Sequence, residues 1–197
     1  MVKNIISKFG DKMLLEDEII FKKISNITPQ EKALVKAFSC GKDHIDLYLK
    51  KEALEEIEYG ISKTFLMFIK QKNKPLFLLG FFSLTTDRVQ IIRNSKLTNA
   101  LKIWGNPIMP QSIPAIRIHY FAIHKDKQRK KLGSEMMFYA FQYIKNFILP
   151  HIGACLITLQ SEKDVVKFYE EIGFCKTGQT RDKNISMAVL TNEFFIE

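Results

Sequence analysis

HKDKQRKKLGSEMMFYA, residues 124–140, follows directly on the apolar run IRIHYFAI (116–123), and the reading of this junction decides the fold class. The apolar run reads as a buried strand. Beyond the basic residues Lys125, Lys127, Arg129, Lys130 and Lys131, a helical stripe of Leu132, Met136, Ala140, Ile144 and Ile148 begins, flanked by Met137, Phe141 and Phe147. It is expected to end near Pro150. A helix start presents unpaired backbone N–H groups and the positive end of the helix dipole, so an anion there is both hydrogen-bonded and charge-stabilised. Gly133 has no Cβ and lets the backbone approach such an anion closely. Gln128, Arg129, Lys130, Lys131 and Ser134 add side-chain donors around the same point. A solvated lysine-rich turn satisfies the same residues, and from them alone both readings stand.

Outward from the junction, ACLITLQ reads as a strand, SEKDVVKFYEEIGF as a helix stopping at Gly173, and SMAVLT as a last strand. Towards the N-terminus, IIFKKISN reads as a first strand beginning near residue 18. In SCGKDHIDLYLKKEALEEIEYG, Ile45, Leu49, Ala53 and Ile57 recur every four residues, which predicts an amphipathic helix with Asp43 as its cap and Gly60 as its stop. KTFLMFIK and PLFLLGFFSLTT, joined by QKNK, predict a hairpin that DRVQII extends or adds to. Residues 93–115 are the least regular part, with Pro107, Pro110 and Pro114 breaking any helix. The order of elements predicts an α/β (α+β) fold: a mixed, mostly antiparallel sheet flanked by helices.

The 197 residues are 46% hydrophobic and include sixteen Phe, enough for one sizeable core, so a single domain is expected. Thirty Lys and Arg against twenty-one Asp and Glu give a net charge of +9, which favours contact with phosphates of a cofactor or nucleic acid, or else only a basic surface. Cys40, Cys155 and Cys175 are odd in number and form no CxxC pair. They predict free thiols in a cytoplasmic protein. His44, His119, His124 and His151 lack metal-ligand spacing, so no metal is expected. The N-terminal apolar residues are broken by Lys8, Asp11, Lys12 and Glu16, and the longest charge-free runs fall short of the ~20 residues of a spanning helix, so no membrane partner is expected.

The junction also resembles a family motif. Ile123, then Gln128 five residues later, then KKLGS, resembles motif A of the GNAT superfamily of N-acetyltransferases, Q/R-x-x-G-x-G/A after a strand. Lys131 stands where the family has its first glycine. VVKFYEEIGF (165–174) resembles the late family signature A-x-x-x-F-Y-x-x-x-G-F, with Glu162 where the family has Asn seven residues before the tyrosine. FSCGKDHIDLYLKKEA and GFFSL are similar to segments of the GNAT toxins of bacterial toxin–antitoxin systems, so the likeness runs over about residues 18–191 of a single domain covering 1–197. Phe38, Cys40, Gly41 and Asp46 of that segment either shape the first helix or touch substrate.

The resemblance implies an acetyl-CoA-dependent acyltransferase of the GNAT fold. It places the pyrophosphate on the loop and helix start formed by Gln128, Arg129, Lys130, Lys131, Leu132, Gly133 and Ser134. It places the acetyl carbonyl and pantetheine on the backbone amides of Phe121, Ala122 and Ile123, and makes Tyr169 the acid for the departing thiolate. Its toxin-like branch implies the α-amine of an aminoacyl-tRNA as acceptor and makes an antitoxin protein a candidate partner; a homodimer is a further candidate, and the sequence leaves the oligomeric state open. A small amine, or a protein or peptide amine, is the alternative acceptor. A degenerate CoA- or nucleic-acid-binding module without transfer is the alternative to enzyme activity. For the base, His119, His124, a water-mediated path and an amine arriving neutral all stay open.

Overall fold

The computed structural model describes residues 18–89, 97, 113–181 and 183–195. The N-terminal stretch, most of the proline-containing segment with Pro107 and Pro110, and the end of DRVQII lie outside the described residues. Seven strands are described: β1 (Glu18–Lys23), β2 (Lys63–Lys70), β3 (Phe77–Val89), β4 (Ile113–Ile123), β5 (Leu156–Ser161), β6 (Cys175–Arg181) and β7 (Asn184–Leu190). They are ordered β1-β2-β3-β4-β5-β7-β6 in one sheet. β1 pairs β2, β2 pairs β3, β5 pairs β7 and β6 pairs β7 antiparallel, while β4 and β5 are parallel. The mixed, mostly antiparallel sheet with flanking helices is the architecture expected from the order of elements.

The described residues divide into two compact units, one containing 18–85 and 119–140, the other 86–89, 97, 113–118, 141–181 and 183–195. In the first, the helix α1 (Pro29–Ala37) was not foreseen, although TPQE carries its signal. Thr28 Oγ1 accepts from the Glu31 amide, Glu31 Oε2 accepts from the Thr28 amide at 2.8 Å, and Pro29 occupies the first turn. Next come α2 (Asp43–Leu47), a π-helical turn (Tyr48–Glu52) and α3 (Ala53–Glu58), ending before Gly60 at φ +71°. The π turn explains the four-residue stripe. In a pure α-helix such a stripe drifts by about 40° per repeat, and a wider turn brings Leu49 and Ala53 back onto the core beside Ile45 and Ile57.

Asp43 is not the cap. It is the first helical residue, and Lys42 before it makes no side-chain cap bond. The carboxylate that closes this turn is Asp46, whose Oδ1 accepts from the Cys40 amide at 2.8 Å. Tyr48, Phe38, Phe68, Phe81 and Leu66 fill this unit's core. The β2–β3 hairpin turns at Asn73, φ +60°, as the QKNK linker predicts.

In the second unit, α4 (Leu132–Tyr143) continues from the first unit into a π-helical turn (Ile144–Ile148). Phe147, expected beside the stripe, is 64% exposed and instead stacks on Tyr143. β5 leads through a 3-10 turn (Lys163–Val165) to α5 (Val166–Ile172), stopped by Gly173 at φ +118°. β6, absent from the sequence reading, is the polar CKTGQTR at the end of the strand order, and α6 (Asn192–Phe195) follows β7. An edge strand has only one neighbour to satisfy and needs no apolar run, so periodicity does not reveal it.

Candidate active site

The first unit carries the basic junction. β4 ends at Ile123, the His124 amide donates to Leu79 O at 2.8 Å, and a 3-10 turn (Lys125–Lys127) leads to Gln128. The Gln128 amide group does not face outward as a free donor, as the sequence reading had it. Its Nε2 donates to Ile123 O at 3.0 Å and to Cys40 O at 2.8 Å, and the Lys125 amide donates to Ser39 O at 2.9 Å. The FSCG segment therefore braces the loop, with Phe38 packed edge-on to His124. Asp46 in turn holds Cys40. Burial raises the Asp46 carboxyl, but bonds from Cys40 and Ser39 and the Lys50 charge outweigh it and leave it below its ordinary value.

After Gln128 the backbone makes two left-handed excursions, Arg129 at φ +60° and Lys131 at φ +63°. Residues other than glycine avoid this region because Cβ crowds the carbonyl oxygen. Lys131 thus adopts a left-handed backbone that glycine takes freely, and its side chain is exposed. Its carbonyl accepts from the Ser134 amide at 3.1 Å and the Glu135 amide at 3.4 Å, which starts α4. Helix geometry leaves the earlier amides of the first turn, those of Leu132 and Gly133, without intrahelical acceptors. Of the loop's cations, Lys127 Nζ lies 5.2 Å from the Phe77 ring centroid and Lys130 Nζ donates to Asp126 O at 3.3 Å.

On β4, Ala122 and Ile123 are buried and Phe121 half-buried. A Cβ on Gly80 of β3 would meet Ala122 O and lie 2.9 Å from Met136 Sδ, so Gly80 is what allows this close approach. The two histidines differ. His124 Nδ1 accepts from the Asp126 amide at 3.3 Å, and its ring packs against Phe38 and Phe77, a structural placement. His119 Nε2 lies 3.4 Å from Glu56 Oε1, while Glu56 Oε2 accepts from Tyr48 at 3.0 Å and Ser62 at 2.6 Å. Sequence reasoning missed Glu56 because the partners are 63 residues apart.

Tyr169 belongs to the second unit and is 8% exposed, its ring packed on Phe168 and Phe174. Burial, and secondarily the Glu162 carboxylate, raise its phenol well above the ordinary value. It is neutral at physiological pH. Among the described residues, no group of three or more His, Cys, Asp or Glu could hold a metal ion, and no helix is long and apolar enough to cross a membrane. The three cysteines are free thiols.

Residues 100–189 match the family model described as an acetyltransferase (GNAT) domain. No curated protein matches the chain. Among solved structures, a tyrosine mutant of KacT is similar at TM-score 0.70 and 13% identity, over 90% of this chain and 97% of that one. AtaT complexed with acetyl-methionyl-tRNAfMet is similar at TM-score 0.68 and 13% identity, over 89% and 96%. An AtaT mutant toxin bound to the C-terminus of the antitoxin AtaR and acetyl-CoA is similar at TM-score 0.65 and 14% identity, over 91% and 96%. At these identities the likeness is one of fold.

Proposed function

We propose that this chain, whose residues 100–189 match the family model of an acetyltransferase (GNAT) domain, is an acetyl-CoA-dependent N-acetyltransferase acting on the α-amine of an aminoacyl-tRNA. The observation that carries the cofactor half of this reading is the backbone at Lys131. Its φ of +63° keeps the glycine-type loop despite the lysine, so the amides of Leu132 and Gly133 meet the pyrophosphate at the start of α4. Arg129, Lys130, Lys131 and Ser134 add positive charge and donors, and Gln128 holds the loop in shape.

The reaction asks three things of the protein: selection of a neutral amine, stabilisation of charge growing on the thioester carbonyl oxygen, and a proton for the leaving thiolate. The amides of Phe121, Ala122 and Ile123 are assigned the second. They follow the parallel β4–β5 ladder, which runs from Ala115↔Leu156 to Ile118↔Leu159. Tyr169 is assigned the third, as a phenol kept protonated by burial. For the first, His119 is the better placed of the two histidines because Glu56 orients it, whereas His124 is committed to the turn. Acetyl-CoA supplies the activated acetyl group.

The acceptor rests on the net charge of +9 and on the likeness of FSCGKDHIDLYL and GFFSL to the toxin branch. A structural neighbour, AtaT, is seen with acetyl-methionyl-tRNAfMet, and another AtaT structure holds an antitoxin segment. We read the chain as one acetyltransferase domain of the cytoplasm, with an antitoxin and a second copy as its protein partners. The test is incubation with charged total tRNA and labelled acetyl-CoA, RNA digestion, and mass spectrometry for N-acetylaminoacyl adenosine. Absence of that product, with transfer retained on a polyamine or peptide, refutes the acceptor and leaves the enzyme class standing. No transfer to any amine, with acetyl-CoA binding retained, makes the chain a CoA-binding module.

A further inference from the structure

In the second unit, β4, β5 and β7 lie side by side with a fixed register. Ala115, Leu156 and Leu190 share one level, Arg117, Thr158 and Ala188 the next, and Gln160 and Ser186 the one beyond. Side chains alternate between the faces of a strand, so these residues project from one face. On it, all three strands change from apolar to polar within two levels. The apolar end packs with Val89, Leu97 and Ile113 into a small core. The polar end borders a cavity of about 340 Å³ whose lining includes Asp87, Arg117, Thr158, Gln160, Thr177 and Ser186.

Most of that lining is satisfied internally. Thr158 Oγ1 donates to Asp87 Oδ2 at 2.7 Å, and the Arg88 amide donates to Asp87 Oδ1 at 2.8 Å. Gln160 Nε2 donates to Ser186 Oγ at 2.8 Å, and Ser186 Oγ donates back to Gln160 Oε1 at 3.1 Å. Thr177 Oγ1 donates to Ser186 O at 3.3 Å. The guanidinium of Arg117 is the exception: its Nε is buried and has no hydrogen-bond partner among the described residues. A buried charged donor left unpaired is costly, and the cost is recovered when a ligand oxygen accepts from it.

We propose that this cavity is a binding site for a metabolite-sized ligand bearing a phosphate or carboxylate, whose oxygens accept from the Arg117 guanidinium. The planar fork of arginine matches either oxyanion in a bidentate geometry. Asp87 already accepts from Thr158 and from the Arg88 amide, which leaves the Arg117 guanidinium as the charge on the lining whose buried donor has no partner among the described residues. The volume of about 340 Å³ lies in the range of small-molecule sites, about 300–1,000 Å³, and is more than a lone oxyanion fills. Val89, two residues beyond Asp87 on the same face of β3, gives an apolar wall for the rest of the ligand.

The test follows the Arg117 Nε–Hε resonance by ¹⁵N NMR while inorganic phosphate, adenosine 5′-monophosphate and N-acetylalanine are titrated separately. Calorimetry accompanies it on wild type, Arg117→Gln and Gly133→Glu. The expected result is a saturable shift with at least one organic probe, retained in Gly133→Glu, and affinity reduced tenfold or more in Arg117→Gln. Tighter binding of the nucleotide assigns a phosphate ester, and tighter binding of N-acetylalanine a carboxylate. No saturable shift with any probe overturns the proposal, as does undiminished affinity in Arg117→Gln. Loss of the response in Gly133→Glu overturns it too, by placing the anion at the 128–134 loop. Inorganic phosphate binding as well as both organic probes overturns the metabolite-sized reading. The wild-type resonance decides the matter even if Arg117→Gln does not fold, and no outcome depends on acetyl transfer.

Discussion

Gly80→Ala puts a single methyl group where β3 approaches β4. The new Cβ would fall on Ala122 O and lie 2.9 Å from Met136 Sδ and 3.1 Å from Ile123 Cδ1, against an ordinary contact of 3.4–4 Å. Met136 Sδ ends a flexible side chain and can swing aside. Ala122 O is backbone, so either β3 or β4 has to shift, and Ala122 is one of the three residues assigned to the acetyl group. Overpacking of this kind costs about 1–3 kcal/mol. For a chain of 197 residues that lowers Tm by about 2–12 °C, at about 2–4 °C per kcal/mol. Gly153→Ala is the control, because nothing lies within 4 Å of its added Cβ. Differential scanning calorimetry measures stability, and isothermal titration with acetyl-CoA measures binding. We expect Gly80→Ala to lose both Tm and affinity and Gly153→Ala to lose neither. Wild-type Tm and wild-type affinity in Gly80→Ala would refute the close approach and the assignment of Ala122 with it.

Tyr169→Phe should keep acetyl-CoA affinity but slow transfer by about 10² to 10⁴-fold, since the ring packing survives and only the proton donor is lost; unchanged single-turnover rates would return Tyr169 to a packing role. Lys131→Gly should retain or improve acetyl-CoA binding, because glycine takes φ +63° freely. Lys131→Val should weaken it, because a β-branched residue resists that backbone. Equal affinities in these two variants would detach the loop conformation from binding. Burial, and then Asp46, push the Cys40 thiol up from 9.0 to about 11. Because the folded value is the higher one, this contribution to stability is intact below pH 9 and is lost as pH rises towards 11. Denaturant melts between those pH values should therefore show a shallower loss in Cys40→Ala than in wild type, and parallel curves would contradict it.

What the sequence determined by itself follows from local regularity. The stripe Leu132, Met136, Ala140 and Ile144, the hairpin around QKNK, the strand IRIHYFAI and the glycine stops at Gly60 and Gly173 are each set by neighbours within a few residues. Periodicity and turn chemistry record such forces directly. The capping box TPQE is equally local and equally legible in the sequence. Tertiary structure decided the rest, because the deciding contacts join residues far apart in the chain. Gln128 reads as a polar donor in a basic loop. Only when β4 ends beside the FSCG segment does it become the brace between Ile123 O and Cys40 O, 88 residues away from the latter. Lys131 reads as a departure from a glycine motif, but its backbone is held at φ +63° all the same. Arg117 lies within the run IRIHYFAI, whose apolar character gives it no role of its own. Its meaning comes from the register that sets it beside Thr158, on a face that turns polar in three strands at once, with its Nε left without a partner among the described residues.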